Sequence, residues 1–315
     1  MEIIKGLEDI RAKVRGPVLT IGNFDGVHLG HRKIFRQVVR RARELGCQSC
    51  VFTFEPHPLS IIAPEKCPLL LASFEKKMAL IEESGMQVVI CAHFDRDLGN
   101  TSPEAFIRDI LHAMLGVQEV FVGFNFGFGR GRAGGVALLK ALANECGFGA
   151  HVIEPVRVEG RPVSSTTIRH LLGEGRVEEA AKLLGRFYSL GGRVVKGSSR
   201  GKALGFPTAN LDTEGVMIPL AGIYAGRALL RGHTYGAVIN IGWSPTFGDV
   251  GFRVEVHILD FSEDIQGEEL ELVFIRRLRE ERRFGSAQEL ALQIERDVEE
   301  ARALLEELSR GEEEG

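Results

Sequence analysis

The feature that most constrains this fold is a change of texture near residues 186–190. Before it, short β-rich runs alternate with helical periodicity. Gly16-Pro17 leads into VLTIGNF, and HRKIFRQVVRRARELG follows with a terminal Gly46. SCVFTF, MQVVICAHF, EVFVGF and AHVIEPV read as strands. Between them lie SFEKKMALIEESG with Ser73 as an N-cap, a helix from Ser102-Pro103-Glu104 to about Leu115, and VALLKALANECG. Two more helices follow, SSTTIRHLLGEG and VEEAAKLLG, the second ending at Gly185. Alternating strands and helices predict a parallel sheet covered on both faces. After the break the runs are glycine-punctuated and β-branched: SLGGRVVKG, GIYAGRALLRG, TYGAVINIG, FRVEVHILDF and ELELVFIRRL. Many short strands with turn signals predict a small barrel or sandwich. SAQELALQIERDVEEARALLEELSRG then reads as one amphipathic helix capped by Ser286. The expectation is two domains, residues 1–185 and 186–315, as a length of 315 residues allows at about 100–200 per domain.

Composition narrows the function classes. Hydrophobic residues are 44% and charged residues 26%, which is globular rather than disordered. The net charge of −4 gives no broad basic footprint for nucleic acid. No apolar run approaches the roughly 18 residues of a membrane-spanning helix, and MEIIKGLEDIRAKVRG lacks the apolar core of a signal peptide. A soluble cytoplasmic protein with no membrane partner is expected; a homo-oligomer is compatible with the sequence. Cys47, Cys50, Cys67, Cys91 and Cys146 are odd in number and scattered, so free thiols in or near a core are expected rather than a disulfide framework.

The strongest local feature is Gly22-Asn23-Phe24-Asp25-Gly26-Val27-His28-Leu29-Gly30-His31, between the first strand and the first long helix. A helix N-terminus presents free amides and a positive dipole end, which suits a phosphate. His28 and His31, three apart, can face one way and stabilise charge growing on a transferring phosphate. The plainer alternatives are a glycine turn with two surface histidines, or two metal ligands. Val163-Ser164-Ser165-Thr166-Thr167-Ile168-Arg169 opens a later helix with hydroxyls, amides and a guanidinium, either an anion site or an ordinary N-cap run. Gly129-Arg130-Gly131-Arg132-Ala133-Gly134 matches the dinucleotide pattern G-x-G-x-x-G, but it follows an aromatic loop, Gly123 to Phe128, rather than a continuous strand.

In the second half, Lys196-Gly197-Ser198-Ser199-Arg200-Gly201-Lys202 fails as a P-loop, because its spacing is short and Ala203 follows the lysine. Thr208 and Asn210 alternate, so in extended chain both face one side and offer two neutral oxygens to magnesium, or simply form a polar turn. Arg253, Glu255 and His257 alternate with Val254, Val256 and Ile258. Glu255 is then a solvated strand carboxylate, or a base that takes a proton from an alcohol beside a metal-bound nucleotide.

Taken together and in order, GNFDGVHLGH, FTFEPHP, VGFNFGFGRGRAG, VSSTTIR, VVKGSSRGKALGFPTANL, GIYAG, NIGWSPTFG and VEVHILDF make the chain resemble the bacterial bifunctional riboflavin kinase/FAD synthetases over essentially its whole length. The resemblance implies an α/β domain followed by a β domain. The first is a Rossmann-like nucleotidyltransferase of the HxGH superfamily with a parallel sheet, residues 1–185. The second is a small antiparallel β-barrel flavokinase with a terminal helix, residues 186–315. It implies phosphorylation of riboflavin to FMN by the second and adenylylation of FMN by ATP to FAD, releasing pyrophosphate, by the first, with Mg2+ as cofactor and ATP as co-substrate. Carried over by motif, Gly22, Asn23, Phe24, Asp25, His28, His31, His57, Asn125, Ser164, Ser165, Thr166 and Arg169 would bind ATP and FMN for adenylyl transfer. Gly197, Arg200, Gly201, Gly205, Phe206, Pro207, Thr208 and Asn210 would bind ATP and flavin in the kinase, Thr208 and Asn210 holding the metal and Glu255 acting as base. Many relatives end the glycine-rich loop Gly-Asp, where this chain has Gly134-Gly135.

Overall fold

The computed structural model describes residues 1–8, 10–196, 205–213, 215–244 and 251–313. Two compact units result: Met1–Leu69 with Phe74–Ser164, and Leu70–Ser73 with Ser165–Gly315.

The first unit is built on a parallel sheet. Its strands are β1 (Glu2–Lys5), β2 (Val18–Ile21), β3 (Ser49–Glu55), β4 (Val88–His93), β5 (Glu119–Gly123) and, after two short pieces, β6 (Gly127–Phe128) and β7 (Gly134–Gly135), β8 (Gly149–Ile153). The spatial order is β1-β4-β3-β2-β5-β8, with every neighbour parallel. Because both faces are covered, β2 is buried at all four positions, the pattern of a strand in a doubly covered parallel sheet. Alternate residues feed two apolar layers. Leu19, Ile21, Phe52, Ile90, Val120 and Val122 face one way; Val18, Val51, Val89 and Phe121 face the other.

Helices close both layers. After α1 (Ile10–Lys13), α2 (Leu29–Leu45) and, beyond α3 (Pro58–Ile62), α4 (Phe74–Glu83) cover the second layer. Helix α2 buries Ile34, Phe35, Val38 and Ala42 and ends at Gly46 in the left-handed conformation, φ 66°, whose N–H bonds the Ala42 and Arg43 carbonyls. Past α5 (Arg96–Asn100), α6 (Pro103–Ala105) begins with Ser102 accepting from Ala105 N–H at 3.1 Å. The helix expected through Leu115 continues from it, wound as a π-helix over Phe106–Met114, and with α7 (Val136–Cys146) it covers the first layer. Strand β1 had no counterpart in the sequence reading: only four residues long, it lies at the sheet edge against β4. A two-residue ladder, β9 (Arg157–Val158) with β10 (Arg161–Pro162), precedes Ser164.

The second unit opens with α8 (Ser165–Gly173) and α9 (Val177–Leu184). Leu220 N–H donates to the Leu172 carbonyl at 2.9 Å, and Glu178 pairs with Arg276 at 3.0 Å. These contacts group both helices with the strands after them; the strands themselves begin with β11 (Tyr188–Val195), where the sequence texture changes. β12 (Ala209–Asp212), β13 (Gly222–Leu230), β14 (His233–Ser244), β15 (Gly251–Ile258) and β16 (Glu269–Arg279) complete a closed barrel in the order β11-β12-β15-β14-β13-β16. Every neighbour is antiparallel. Tyr188, Tyr224 and Phe274 pack in its core, with Phe274 5.4 Å from Tyr224 and 6.1 Å from Tyr188 between ring centroids.

Helix α10 (Ala287–Glu313) covers one outer wall, where Ile223, Ala225, Val238 and Ile275 meet Ala301 and Leu304. Ser286 accepts from Glu289 N–H at 3.2 Å, and the Glu289 carboxylate reaches back to Gly285 N–H at 3.0 Å, a capping box in effect. Asp297, only 3% exposed, takes a bidentate pair from Arg279 at 2.6–2.9 Å. All five cysteines are free, and burial pushes the Cys50 thiol up to about 12. Among the described residues, no helix is long and apolar enough to cross a membrane.

Candidate active sites

In the first unit, strand order reverses beside β2: the chain runs from β2 to β3 and β4 on one side, then to β5 and β8 on the other. Open α/β sheets bind ligands outside the carboxyl ends of their strands at such a reversal. The loop leaving β2 there is Gly22–His28. It carries left-handed φ values at Phe24 (51°), Gly26 (77°) and Val27 (39°). At a β-branched residue this conformation is strained, and such strain collects at functional loops.

The loop is held from below. Phe24 is 3% exposed, and its ring packs edge-on against His31 at 5.2 Å and tilted against Phe35 at 4.9 Å. A Cβ on Gly22 would lie 3.1 Å from that ring. His28 is the N-cap of α2, its Nδ1 accepting from His31 N–H at 3.3 Å. The two imidazoles stack with centroids 3.6 Å apart and planes 16° from parallel. Gly30 makes that possible, since a Cβ there would stand 3.0 Å from His28 Cε1. The same point is 3.8 Å from the Val163 carbonyl, so the chain entering Ser164 runs beside the histidine turn.

The loop after β3 joins them, with His57 Nε2 3.0 Å from the Asn23 amide and His57 Nδ1 accepting from Leu59 N–H at 3.2 Å. Thr53 Oγ1 donates to the Asn23 carbonyl at 3.4 Å. Gly22, Asn23, Phe24, Asp25, His28, His31 and His57 therefore form one cluster. Sequence reasoning passed over Lys77. Burial in α4 holds its ammonium below the usual lysine range, against the opposing fields of Glu55, Cys91 and Asp25. A lysine on the inner face of an amphipathic helix was the available signal.

The loop after β5 leaves the sheet at the same end. Phe124 is 54% exposed and Asn125 is exposed. Phe126 and Phe128 stack at 5.2 Å, and β6 pairs with β7. The G-x-G-x-x-G match spans this hairpin. A Cβ on Gly129 would strike Pro103 at 2.6 Å and one on Gly134 would strike Phe128 at 2.8 Å, so these glycines answer packing needs. Gly135 is the N-cap of α7 and supplies no side-chain cap. Ser164 ends the first unit; Ser165 and Thr166 open α8 in the second, with Arg169 one turn on and Ile168 buried.

In the barrel, Asn210 on β12 and Asn240 on β14 lie directly opposite Glu255 from either side. Val254, Val256, Ile239, Ile241 and Leu211 point into the core. Asn210, Glu255 and Asn240 thus form a row on the outer wall. His257 Nδ1 bonds the Pro207 carbonyl at 2.8 Å, and its ring meets Phe206 edge-on at 5.6 Å. That clamp fixes the chain leading into Thr208, which is exposed, and Asn210, which is buried. Gly205 turns the chain with φ 88°. Gly197, Arg200 and Gly201 lie outside the described residues. Neither the clamp nor Asn240 was assigned a role from sequence, because both depend on strand register. Among the described residues no three His, Cys, Asp or Glu side chains gather as a metal site.

Two family models match in tandem: FAD synthetase over residues 10–167 and riboflavin kinase over residues 184–305. A bifunctional riboflavin kinase/FMN adenylyltransferase of Pseudomonas fluorescens is 40% identical over 96% of this chain and 98% of its own. The protein of that description from Escherichia coli (strain K12) is 37% identical over 94% and 96%. A crystal structure described as a macrolide-efflux protein from Streptococcus pneumoniae superposes with a TM-score of 0.86 at 28% identity, covering 96% of this chain and 99% of that one. With both halves matched in this order and relatives aligned nearly end to end, the chain belongs to the bifunctional riboflavin kinase/FMN adenylyltransferase family.

Proposed function

We propose that this chain performs two ATP-dependent steps of flavin nucleotide synthesis, phosphorylating riboflavin to FMN and then adenylylating FMN to FAD with release of pyrophosphate. The tandem family matches carry this reading. The kinase is assigned to residues 186–315 and the adenylyltransferase to residues 1–185, working in the cytoplasm without nucleic-acid or membrane partners.

In adenylyl transfer an FMN phosphate oxygen attacks the α-phosphorus of ATP and the bond to pyrophosphate breaks. Negative charge moves onto the departing oxygens. His28 Nδ1 accepts from His31 N–H, so the neutral ring keeps its proton on Nε2 and is a donor there. Stacked on His31 at the N-cap of α2, it supplies one positioned donor where charge develops. Asn23 and His57, in contact with each other, brace that turn, Asp25 lies buried in the same loop, Asn125 and its aromatic loop offer a face to the flavin, and Ser164, Ser165, Thr166 and Arg169 hold ATP phosphates.

In the kinase, Glu255 takes the proton of the ribityl 5′-hydroxyl as that oxygen attacks the γ-phosphorus of ATP and the bond to the departing ADP breaks. Thr208 and Asn210 supply neutral oxygens, a donor set that suits magnesium, which takes oxygen ligands and is completed by substrate phosphates. When bound, magnesium would neutralise charge on those phosphates. Both reactions are direct transfers without a covalent enzyme intermediate.

The test is product analysis with riboflavin, ATP and magnesium on three proteins. Wild type should yield FMN and FAD. His28→Ala with His31→Ala should stop at FMN. Glu255→Gln should lose riboflavin phosphorylation by at least about 100-fold yet convert added FMN to FAD. FAD from the double-histidine variant at the wild-type rate overturns the histidine assignment.

A further inference from the structure

We propose that Asn240 is a substrate-binding residue of the kinase: its side-chain carbonyl accepts a hydrogen bond from the ribityl 4′-hydroxyl, the neighbour of the hydroxyl that is phosphorylated. This rests on the reading of Glu255 as the base.

Asn240 Oδ1 is buried and, among the described residues, has no hydrogen-bond partner. Buried acceptors in native proteins are almost always paired, so each exception calls for a reason. Its position supplies one. Asn240 faces Glu255 across the β14–β15 ladder and Ile223 across the β13–β14 ladder. Ile223 belongs to the apolar patch beneath α10. The acceptor therefore sits on the margin between an apolar wall and the carboxylate. Packing alone would place an aliphatic residue there.

The chemistry selects the ligand. A phosphate oxygen is an acceptor and cannot pair with a carbonyl oxygen, so ATP does not satisfy this atom. A sugar alcohol does, because each hydroxyl carries a donor proton. Paired residues on one sheet face hold their Cβ atoms about 4.5–5.5 Å apart. Two vicinal hydroxyls can span two acceptors at that spacing. If the 5′-hydroxyl donates to Glu255, the 4′-hydroxyl is the one placed to donate to Asn240. A polar site of this kind also rejects a substrate lacking the hydroxyl, since the acceptor is then left buried and unpaired.

The experiment compares riboflavin with its 4′-deoxy analogue on the full-length chain. Wild type should prefer riboflavin by about 10- to 100-fold in kcat/KM, the cost of leaving one buried acceptor unpaired. Asn240→Leu should lose about that factor toward riboflavin and little toward the analogue, so the preference collapses to within a few-fold. Its thermal midpoint without ligand should stay level or rise, because the unpaired oxygen is gone. Asn240→Asp, which keeps the acceptor and the size, should retain the preference. A wild-type enzyme indifferent to the 4′-hydroxyl overturns the inference, as does an Asn240→Leu protein that loses both substrates equally. Glu255→Gln run in parallel separates the two levels. A wild-type phosphorylation rate there overturns the reading of Glu255 as the base, on which the inference rests. A lost rate there, with the preference intact in Asn240→Leu, overturns only the role of Asn240.

Discussion

Gly30→Ala tests whether the histidine turn works by position. The added Cβ would stand 3.0 Å from His28 Cε1 and 3.1 Å from Nδ1, against the 3.5–4.0 Å of comfortable carbon contact. The ring must retreat by about 0.5 Å. It cannot do so freely, being stacked on His31 and bonded to its amide. A misplacement of about 1 Å can cost about 100-fold in rate, so half of that corresponds to about 10-fold. Stability moves the other way: alanine is up to about 1 kcal/mol better than glycine within a helix, and less near its start. FAD formation from FMN and ATP should therefore fall about 10-fold while riboflavin phosphorylation in the same sample stays at wild type and the thermal midpoint holds. In a His28→Ala background the same change should do nothing further, because the clashing ring is absent. Unchanged FAD synthesis in Gly30→Ala, or an equal loss in both backgrounds, refutes the positional argument.

Three further outcomes follow from other contacts. A fragment beginning at residue 165 should unfold cooperatively and make FMN, whereas one beginning at residue 186 should melt lower, having lost the Leu172 carbonyl and the Glu178–Arg276 pair; equal midpoints would show that α8 and α9 contribute nothing to the barrel. His257→Phe keeps an aromatic ring beside Phe206 but loses the bond to the Pro207 carbonyl, so KM for ATP in the kinase assay should rise about 10-fold, in line with one lost net hydrogen bond, with kcat little changed. Glu119 is held below the usual carboxylate range first by its hydrogen bonds to Arg41 and then by the field of His151. Its contribution is thus complete above pH 4.5 and is lost as pH falls through the depressed value; Arg41→Met should shift the acid-unfolding midpoint, followed by circular dichroism, to higher pH, and an unmoved midpoint would dismiss the pair.

Much of the fold was legible because periodicity reports burial. The doubly buried strands, the capped helices ending at Gly46 and Gly185, and the capping box at Ser286 all follow from local chemistry. The choice between barrel and sandwich did not, since closure depends on β11 meeting both β12 and β16. Strand β1 was missed because four residues at an edge carry too little pattern. At the sites, residues within one motif were legible together: His28 and His31 share a helix turn. Partners supplied by register were not. Asn240 precedes Glu255 by a whole hairpin, and only the β14–β15 ladder brings them face to face. His57 reaches Asn23 only because β2 and β3 are neighbours.

Strand β15 can be regarded as carrying a reading frame of two. Val254, Val256 and Ile258 fill the barrel while Glu255 and His257 stand on its outside wall. A single inserted residue ahead of Val254 would exchange the two sets, driving a carboxylate into the core and aliphatic side chains onto the wall. Stability and phosphorylation would be lost in one event, as sense is lost after a frameshift. An insertion of two residues preserves the phase and leaves a strand that can still seal the barrel. Natural length variation in this domain should therefore gather in the hairpin turns and, where it enters this strand at all, arrive in even steps.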